Sequence, residues 1–135
     1  MESCFTTYFA KVKDLPEDIV PIAICGKSPD WWTGLEYRKL APRWWFFSKW
    51  KETHDNNFYI ENFQKEVLDR FDPHETWAKL KEKAGGKTFA MVCYEKPGDF
   101  CHRHLVADWF RKAGYSVEEY EYKTSDNMDE AERLF

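Results

Sequence analysis

Residues 88–122 read TFAMVCYEKPGDFCHRHLVADWFRKAGYSVEEYEY, and this stretch decides the fold. Thr88 to Cys93 is continuously apolar, the pattern of a strand covered on both faces in a parallel or mixed sheet. Lys96-Pro97-Gly98-Asp99 reads as a turn. Leu105, Val106, Trp109, Phe110 and Ala113 then share one helical stripe, with Gly114 as its C-cap. Ser116 to Tyr122 reads as the returning strand. Strand, helix and strand within about 35 residues form a βαβ unit, whose parallel crossover requires helices over a sheet. The expected fold class is α/β: a single three-layer domain with a small, mostly parallel sheet flanked by helices.

The sequence on the N-terminal side of this unit supplies further elements. Asp72, Pro73 and Glu75 have the order of an N-cap, a first-turn proline and a capping-box partner. Trp77, Leu80 and Ala84 make the buried stripe of that helix, and Gly85-Gly86 ends it. Asn57 is expected to cap an earlier helix running to about Phe71, with Ile60, Phe63, Val67, Leu68 and Phe71 on one face. Residues 27–50 show no clean periodicity beyond a short helix near Trp44 to Lys51. Ile19 to Cys25 is a second apolar run, and because Pro21 cannot donate to a ladder, the expected paired part is Ile22 to Cys25. Phe5 to Val12 mixes aromatic and β-branched residues and reads as a first strand, closed by Lys13-Asp14-Leu15-Pro16.

At 135 residues the chain fits one ordinary domain, expected over 1–123, followed by an acidic tail at 124–135. Aromatic residues at 19% and charged residues at 33% give both a core and a solvated surface, which excludes a disordered chain. No basic stretch followed by an apolar run opens the sequence, and no segment approaches the roughly 18 apolar residues of a membrane span. A cytoplasmic protein with no membrane partner is expected. Cys4, Cys25, Cys93 and Cys101 lack the close spacing of a secreted disulfide scaffold, so reduced thiols are the expectation.

The net charge of −4 argues against broad binding to nucleic-acid phosphates, which needs many Lys and Arg contacts. Between Trp31 and Lys51, however, Arg38, Lys39, Arg43, Lys49 and Lys51 stand against Glu36 alone, which leaves room for a local basic face. Asp30-Trp31-Trp32 and Trp44-Trp45, interleaved with those cations, could stack a base while holding its phosphate, although most of these tryptophans are expected in the core.

Ligands of open α/β sheets bind beyond the carboxyl ends of the strands, where loops diverge and helix N-termini present free N–H groups. That rule selects Cys25-Gly26-Lys27-Ser28, Tyr94-Glu95-Lys96 and Cys101-His102-Arg103-His104, which are expected to converge. Cys101 lies at a helix start beside His102 and Arg103, where the helix dipole would stabilise a thiolate; its alternative is a small packed hydrophobe. Arg103 offers a planar fork for phosphate or carboxylate, or else a structural ion pair with Glu95. Glu95 could orient Arg103, carry a proton, or simply be solvated.

His102 and His104, two positions apart, point to different faces of a helix. A metal site would have to gather Cys93, Cys101 and His102 or His104, but the spacing matches no common zinc pattern, so no metal is expected. No cofactor is expected either: glycine-rich dinucleotide, P-loop and serine-elbow sequences are absent.

The run Val92-Cys93-Tyr94-Glu95-Lys96-Pro97-Gly98-Asp99-Phe100-Cys101-His102-Arg103-His104, leading into Leu105-Val106-Ala107, resembles domain of unknown function family 488. Ile24-Cys25-Gly26-Lys27-Ser28-Pro29-Asp30-Trp31-Trp32 with Leu40-Ala41-Pro42 is similar to the shorter branch of that family, so the resemblance covers most of the chain. The family's Cys-x-Glu strand end followed by Cys-His-Arg is matched by Cys93, Glu95, Cys101, His102 and Arg103. The resemblance implies an α/β fold and a site at those five positions, with no established reaction. The Asp-x-Arg strand end of the longer branch has no counterpart here.

The leading expectation is a small protein that binds an anionic, nucleotide-like ligand between the start of the Cys101 helix and the Trp-rich segment. Lys27, Ser28, Trp31, Trp32, Cys93 and Arg103 are the binding candidates. If it is an enzyme, group transfer or hydrolysis is expected, with Cys101 as nucleophile, Arg103 as anion clamp, and Glu95 or His102 as proton carrier. The alternatives are a non-catalytic binder that sequesters a signalling nucleotide or blocks a protein partner, and a nucleic-acid accessory protein. The oligomeric state is not set by the sequence.

Overall fold

A computed structural model describes residues 2–122; the expected acidic tail lies outside the described residues. Five strands, β1 (Ser3–Tyr8), β2 (Ile19–Ala23), β3 (Leu35–Glu36), β4 (Thr88–Cys93) and β5 (Ser116–Glu119), form one sheet in the order β3-β2-β4-β1-β5. Every pairing is parallel. Four α-helices accompany them: α1 (Trp44–Thr53), α2 (Asn56–Glu66), α3 (Pro73–Lys83) and α4 (His102–Lys112). The α/β class is as the sequence implies.

β4 is the central strand because both of its faces are apolar. Phe89, Met91 and Cys93 alternate with Ala90 and Val92, and all five are buried. Trp77 of α3 packs edge-on against Phe89 at 4.9 Å and Phe110 of α4 at 5.1 Å, so α3 and α4 cover the Phe89 face together. The step from β1 to β2, like the short one from β2 to β3, runs across the sheet in the opposite direction to the later crossovers from β3 to β4 and from β4 to β5. Right-handed connection therefore places its linker on the other face. That linker is a 3-10 helix, Phe9–Asp14, and Phe9 packs against Trp32 at 5.2 Å and Tyr94 at 4.9 Å. The third layer is thus thin, without an α-helix among the described residues.

Several expected boundaries move. β1 stops at Tyr8, because Phe9 and Val12 are both buried at a helical spacing of three rather than alternating. β2 begins at Ile19 and includes Pro21. Ile24 N–H bonds to β4, whereas the Ala23 carbonyl accepts from Tyr37 on the β3 side. Pro21, two residues before Ala23, faces that same side at a point where β3 has not begun. Its missing N–H therefore leaves no ladder bond unmade.

α2 is capped by Asp55, whose side chain accepts from Phe58 N–H at 3.1 Å, not by Asn57. The helix ends at Glu66, and a 3-10 turn, Leu68–Arg70, follows. Tyr59, Phe63 and Val67 form its buried ridge at intervals of four, and Ile60 is exposed. α3 starts as read, with Asp72 accepting from Glu75 N–H at 2.9 Å ahead of Pro73. α4 ends at Lys112 with Ala113 as its C-cap, and Gly114 (φ 101°) turns the chain so that the Tyr115 N–H returns to the Phe110 carbonyl at 3.1 Å. Tyr115 then stacks on Trp77 at 3.9 Å. β5 is shorter than expected, ending at Glu119.

Candidate functional site

Parallel strands all end on one side of the sheet, and β2 and β4 end there as neighbours. The loops after them, the start of α4, and one face of α1 enclose a cleft of about 590 Å³. Cys25, Gly26 and Lys27 contribute from the β2 loop, Cys93, Tyr94 and Glu95 from the end of β4, and Cys101 and His102 from the head of α4. The three segments picked out by the strand-end rule do converge.

Cys101 is the N-cap of α4, 3% exposed, and its side chain makes no capping bond to the helix. The Cys101 thiol is pulled far below its ordinary value, first by a hydrogen bond from Cys93, against burial, with further help from His102 and the Arg103 backbone N–H. Burial holds the Cys93 thiol well up, so the two neighbouring sulfurs are pushed in opposite directions, negative charge being favoured on Cys101. His102 lies 2.8 Å from the Ile24 carbonyl through Nε2 and packs against Phe63 at 5.6 Å. Because a carbonyl only accepts, Nε2 is the donor in this contact. Nδ1 lies 3.6 Å from Cys93 Sγ, and Nε2 lies 3.4 Å from it. Cys93, Cys101 and His102 are the residues that could hold a metal ion: their ligand atoms all lie within 4.8 Å of one another.

Glu95 is half-buried on the cleft wall, and burial together with the neighbouring Cys101 thiolate pushes its carboxyl up to about 6, against the pull of His102 and Arg103. Tyr94 donates through its hydroxyl to the Lys27 carbonyl, tying the β2 and β4 loops together.

Arg103 is placed differently from the expected anion clamp. It is fully buried and does not border the cleft. Its Nε and Nη2 each donate to Glu119 at 3.0 Å, and Nη1 donates to the Glu95 carbonyl at 2.5 Å. The fork is committed to holding the end of β5 and the loop after β4. The ion pair anticipated with the Glu95 side chain forms with Glu119 instead, while Glu95 is held through its backbone.

Ser28 also turns away from the cleft, donating to Glu36 Oε2 at 2.5 Å. Trp31 and Trp32 pack around Phe9 on the other side and do not border the cleft. The tryptophans are less buried than expected: Trp31, Trp44 and Trp45 are 51%, 68% and 52% exposed, and Trp77 alone among the seven is fully buried. Trp45 faces Phe58 rather than the cleft.

The wall that sequence reasoning missed is aromatic. Trp44, Phe47, Trp50, Tyr59 and Phe100 line one side of the cleft, with Lys51 beside them. Trp50 stacks on Phe47 with an interplanar angle of 12° and meets Phe100 at 5.4 Å. The signal was present, since Trp44, Phe47 and Lys51 sit at i, i+3 and i+7 and so share a face of α1. Chemically, the cleft offers flat apolar walls, two lysines, a carboxyl group, and a thiolate at its floor.

A parallel α/β sheet with this cysteine-centred cleft at its carboxyl edge defines a small α/β protein with a built candidate active site. The chain belongs to the DUF488-N3a family, described as the active DUF488-N3 subclade, whose model matches residues 10–114. That span holds every residue bordering the cleft. No curated protein and no solved structure matches the chain significantly. No helix among the described residues is long and apolar enough to cross a membrane.

Proposed function

We propose that the protein binds a small nucleotide-like molecule, a planar ring carrying an anionic group, and transfers or hydrolyses one of its groups at Cys101. The observation that carries this reading is the pairing of an aromatic wall (Trp44, Phe47, Trp50) with a floor formed by Cys101 and Glu95. Flat rings stack on indole and phenyl faces with little regard to substituents, at about 1–3 kcal/mol per ring. Lys27 and Lys51 then serve the anionic group, a role Arg103 cannot fill while its fork is occupied.

In this reading the Cys101 sulfur attacks an electrophilic carbon of the ligand, forming a carbon–sulfur bond as the bond to the leaving group breaks. Glu95, as the acid, passes its proton to that leaving group. Water or an acceptor hydroxyl then attacks the same carbon and gives its proton to the Glu95 carboxylate, and the sulfur departs as thiolate. His102, held by Ile24, acts as a positioning residue. The subclade's description as active supports turnover over mere binding.

A second reading, sequestration without turnover, is favoured by the near-complete burial of the Cys101 sulfur. The test is alkylation with iodoacetamide followed by mass mapping, in the presence and absence of nucleoside monophosphates. Selective modification of Cys101, slowed by a nucleoside monophosphate and not by inorganic phosphate alone, is expected. An inert Cys101 in protein that still binds the nucleotide would establish sequestration instead, and absence of any binding would overturn both.

A further inference from the structure

We infer that Cys93, Cys101 and His102 form a site for one soft divalent cation, Zn²⁺ by its ligand chemistry, with a fourth position open to the cleft. Linear spacing conceals this site. Cys93 ends β4, Cys101 and His102 begin α4, and only the turn between them brings the ligand atoms within 4.8 Å of one another.

The size of the cluster fits. Tetrahedral zinc about 2.3 Å from sulfur and about 2.0 Å from nitrogen sets a sulfur–nitrogen edge of about 3.5 Å. Cys93 Sγ stands 3.6 Å from His102 Nδ1. Coordination through Nδ1 leaves the Nε2 contact with the Ile24 carbonyl in place as the outer-shell support of the ring, and the ring turns only far enough to bring Nδ1 toward the sulfurs. Two thiolates and one imidazole select zinc over magnesium or calcium, which demand oxygen donors. All three residues border the cleft, so the remaining vertex faces it.

The site goes beyond the proposed reaction and does not depend on it. A bound cation withdraws charge from the Cys101 sulfur that covalent chemistry there requires. Zinc therefore blunts the nucleophile and slows its attack.

The experiment uses the whole chain, stripped with a chelator under reducing conditions and titrated with Co²⁺ and then Zn²⁺. One Co²⁺ per chain is expected, with the visible absorption of a tetrahedral ion and a sulfur-to-cobalt charge-transfer band, both erased by Zn²⁺. Cys93→Ser should weaken binding at least tenfold, with Cys101→Ser as the second variant should the first fail to fold, and Cys4→Ser, outside the cleft, should leave it unchanged. Saturating Zn²⁺ should slow alkylation of Cys101 by iodoacetamide. No cobalt band, a band that survives both serine variants, or alkylation at an undiminished rate in Zn²⁺ overturns the site. Cobalt binding in protein whose metal-free Cys101 does not alkylate supports the site and overturns the covalent reading alone.

Discussion

Arg103 and Glu119 meet as a two-bond fork, Nε to Oε1 and Nη2 to Oε2, each 3.0 Å long, with the arginine wholly buried. Thr6 donates to the same Glu119 Oε1 at 2.6 Å, and the guanidinium lies over the Tyr8 ring at 5.8 Å. One side chain of α4 thereby joins the end of β1, the end of β5 and the loop that carries Glu95. Arg103→Ala leaves the Glu119 carboxylate without its cation, held by Thr6 alone, and removes the Nη1 donor from the Glu95 carbonyl. A loss of about 3–5 kcal/mol is expected from urea unfolding. Arg103→Lys, which keeps the charge but not the planar fork, should fall between that variant and the parent. Full stability of the alanine variant would remove the pair from any structural role.

Trp44 offers a test of the aromatic wall with little structural interference. At 68% exposure its truncation should change stability by no more than about 0.5 kcal/mol. Loss of one stacking face should nevertheless weaken nucleoside monophosphate binding about tenfold or more in a calorimetric titration. Unchanged affinity would place the ring of the ligand elsewhere.

Cys4 should behave as the opposite of Cys101. Burial raises its thiol well above the ordinary range, outweighing the pull of Arg111 and Lys81, so it stays protonated as the solution is made alkaline. In folded protein at pH 9, where an exposed thiol ionises, Cys4 should remain unmodified by iodoacetamide and should react only after denaturation. Rapid labelling of Cys4 in the folded state would contradict its burial in β1.

The cap of α3 is open to a simple measurement. Asp72→Ala removes the acceptor for Glu75 N–H and should lower stability by about 1 kcal/mol, read as a shift of the urea midpoint. Asp72→Asn should recover most of it.

What could be read from the linear chain follows from which interactions are local. Thr88–Cys93 and the Asp72-Pro73-Glu75 start were legible because one rests on continuous apolarity and the other on capping within four residues. Phe9–Val12 was misread because a short apolar stretch satisfies strand and 3-10 spacing alike, and only its place beside Trp32 and Tyr94 decides. Pro21 misled for a related reason: its tolerance depends on where a neighbouring strand begins. At the candidate site, strand ends and helix starts pointed to Cys25–Lys27, Glu95 and Cys101–His102, which the fold gathers around one cleft. The destination of the Arg103 fork and the approach of α1 to the cleft are products of tertiary packing, as is the gathering of Cys93 with His102. No spacing rule reports them.

The order of pairing has a consequence for how the protein comes into being. β1 bonds only to β4 and β5, and the step from Tyr8 to its partner Cys93 skips most of the chain. During synthesis β1 therefore emerges first and waits, its N–H and C=O groups open to solvent and to stray strands, until Thr88–Cys93 arrives. The four residues of β2 and β3 that pair cannot hold a sheet in the interval. The segment that gives β1 its first partner carries Cys93 and is followed at once by Glu95 and Cys101, so a nascent chain acquires its reactive cleft as β1 is first paired, and β5 then covers the remaining edge.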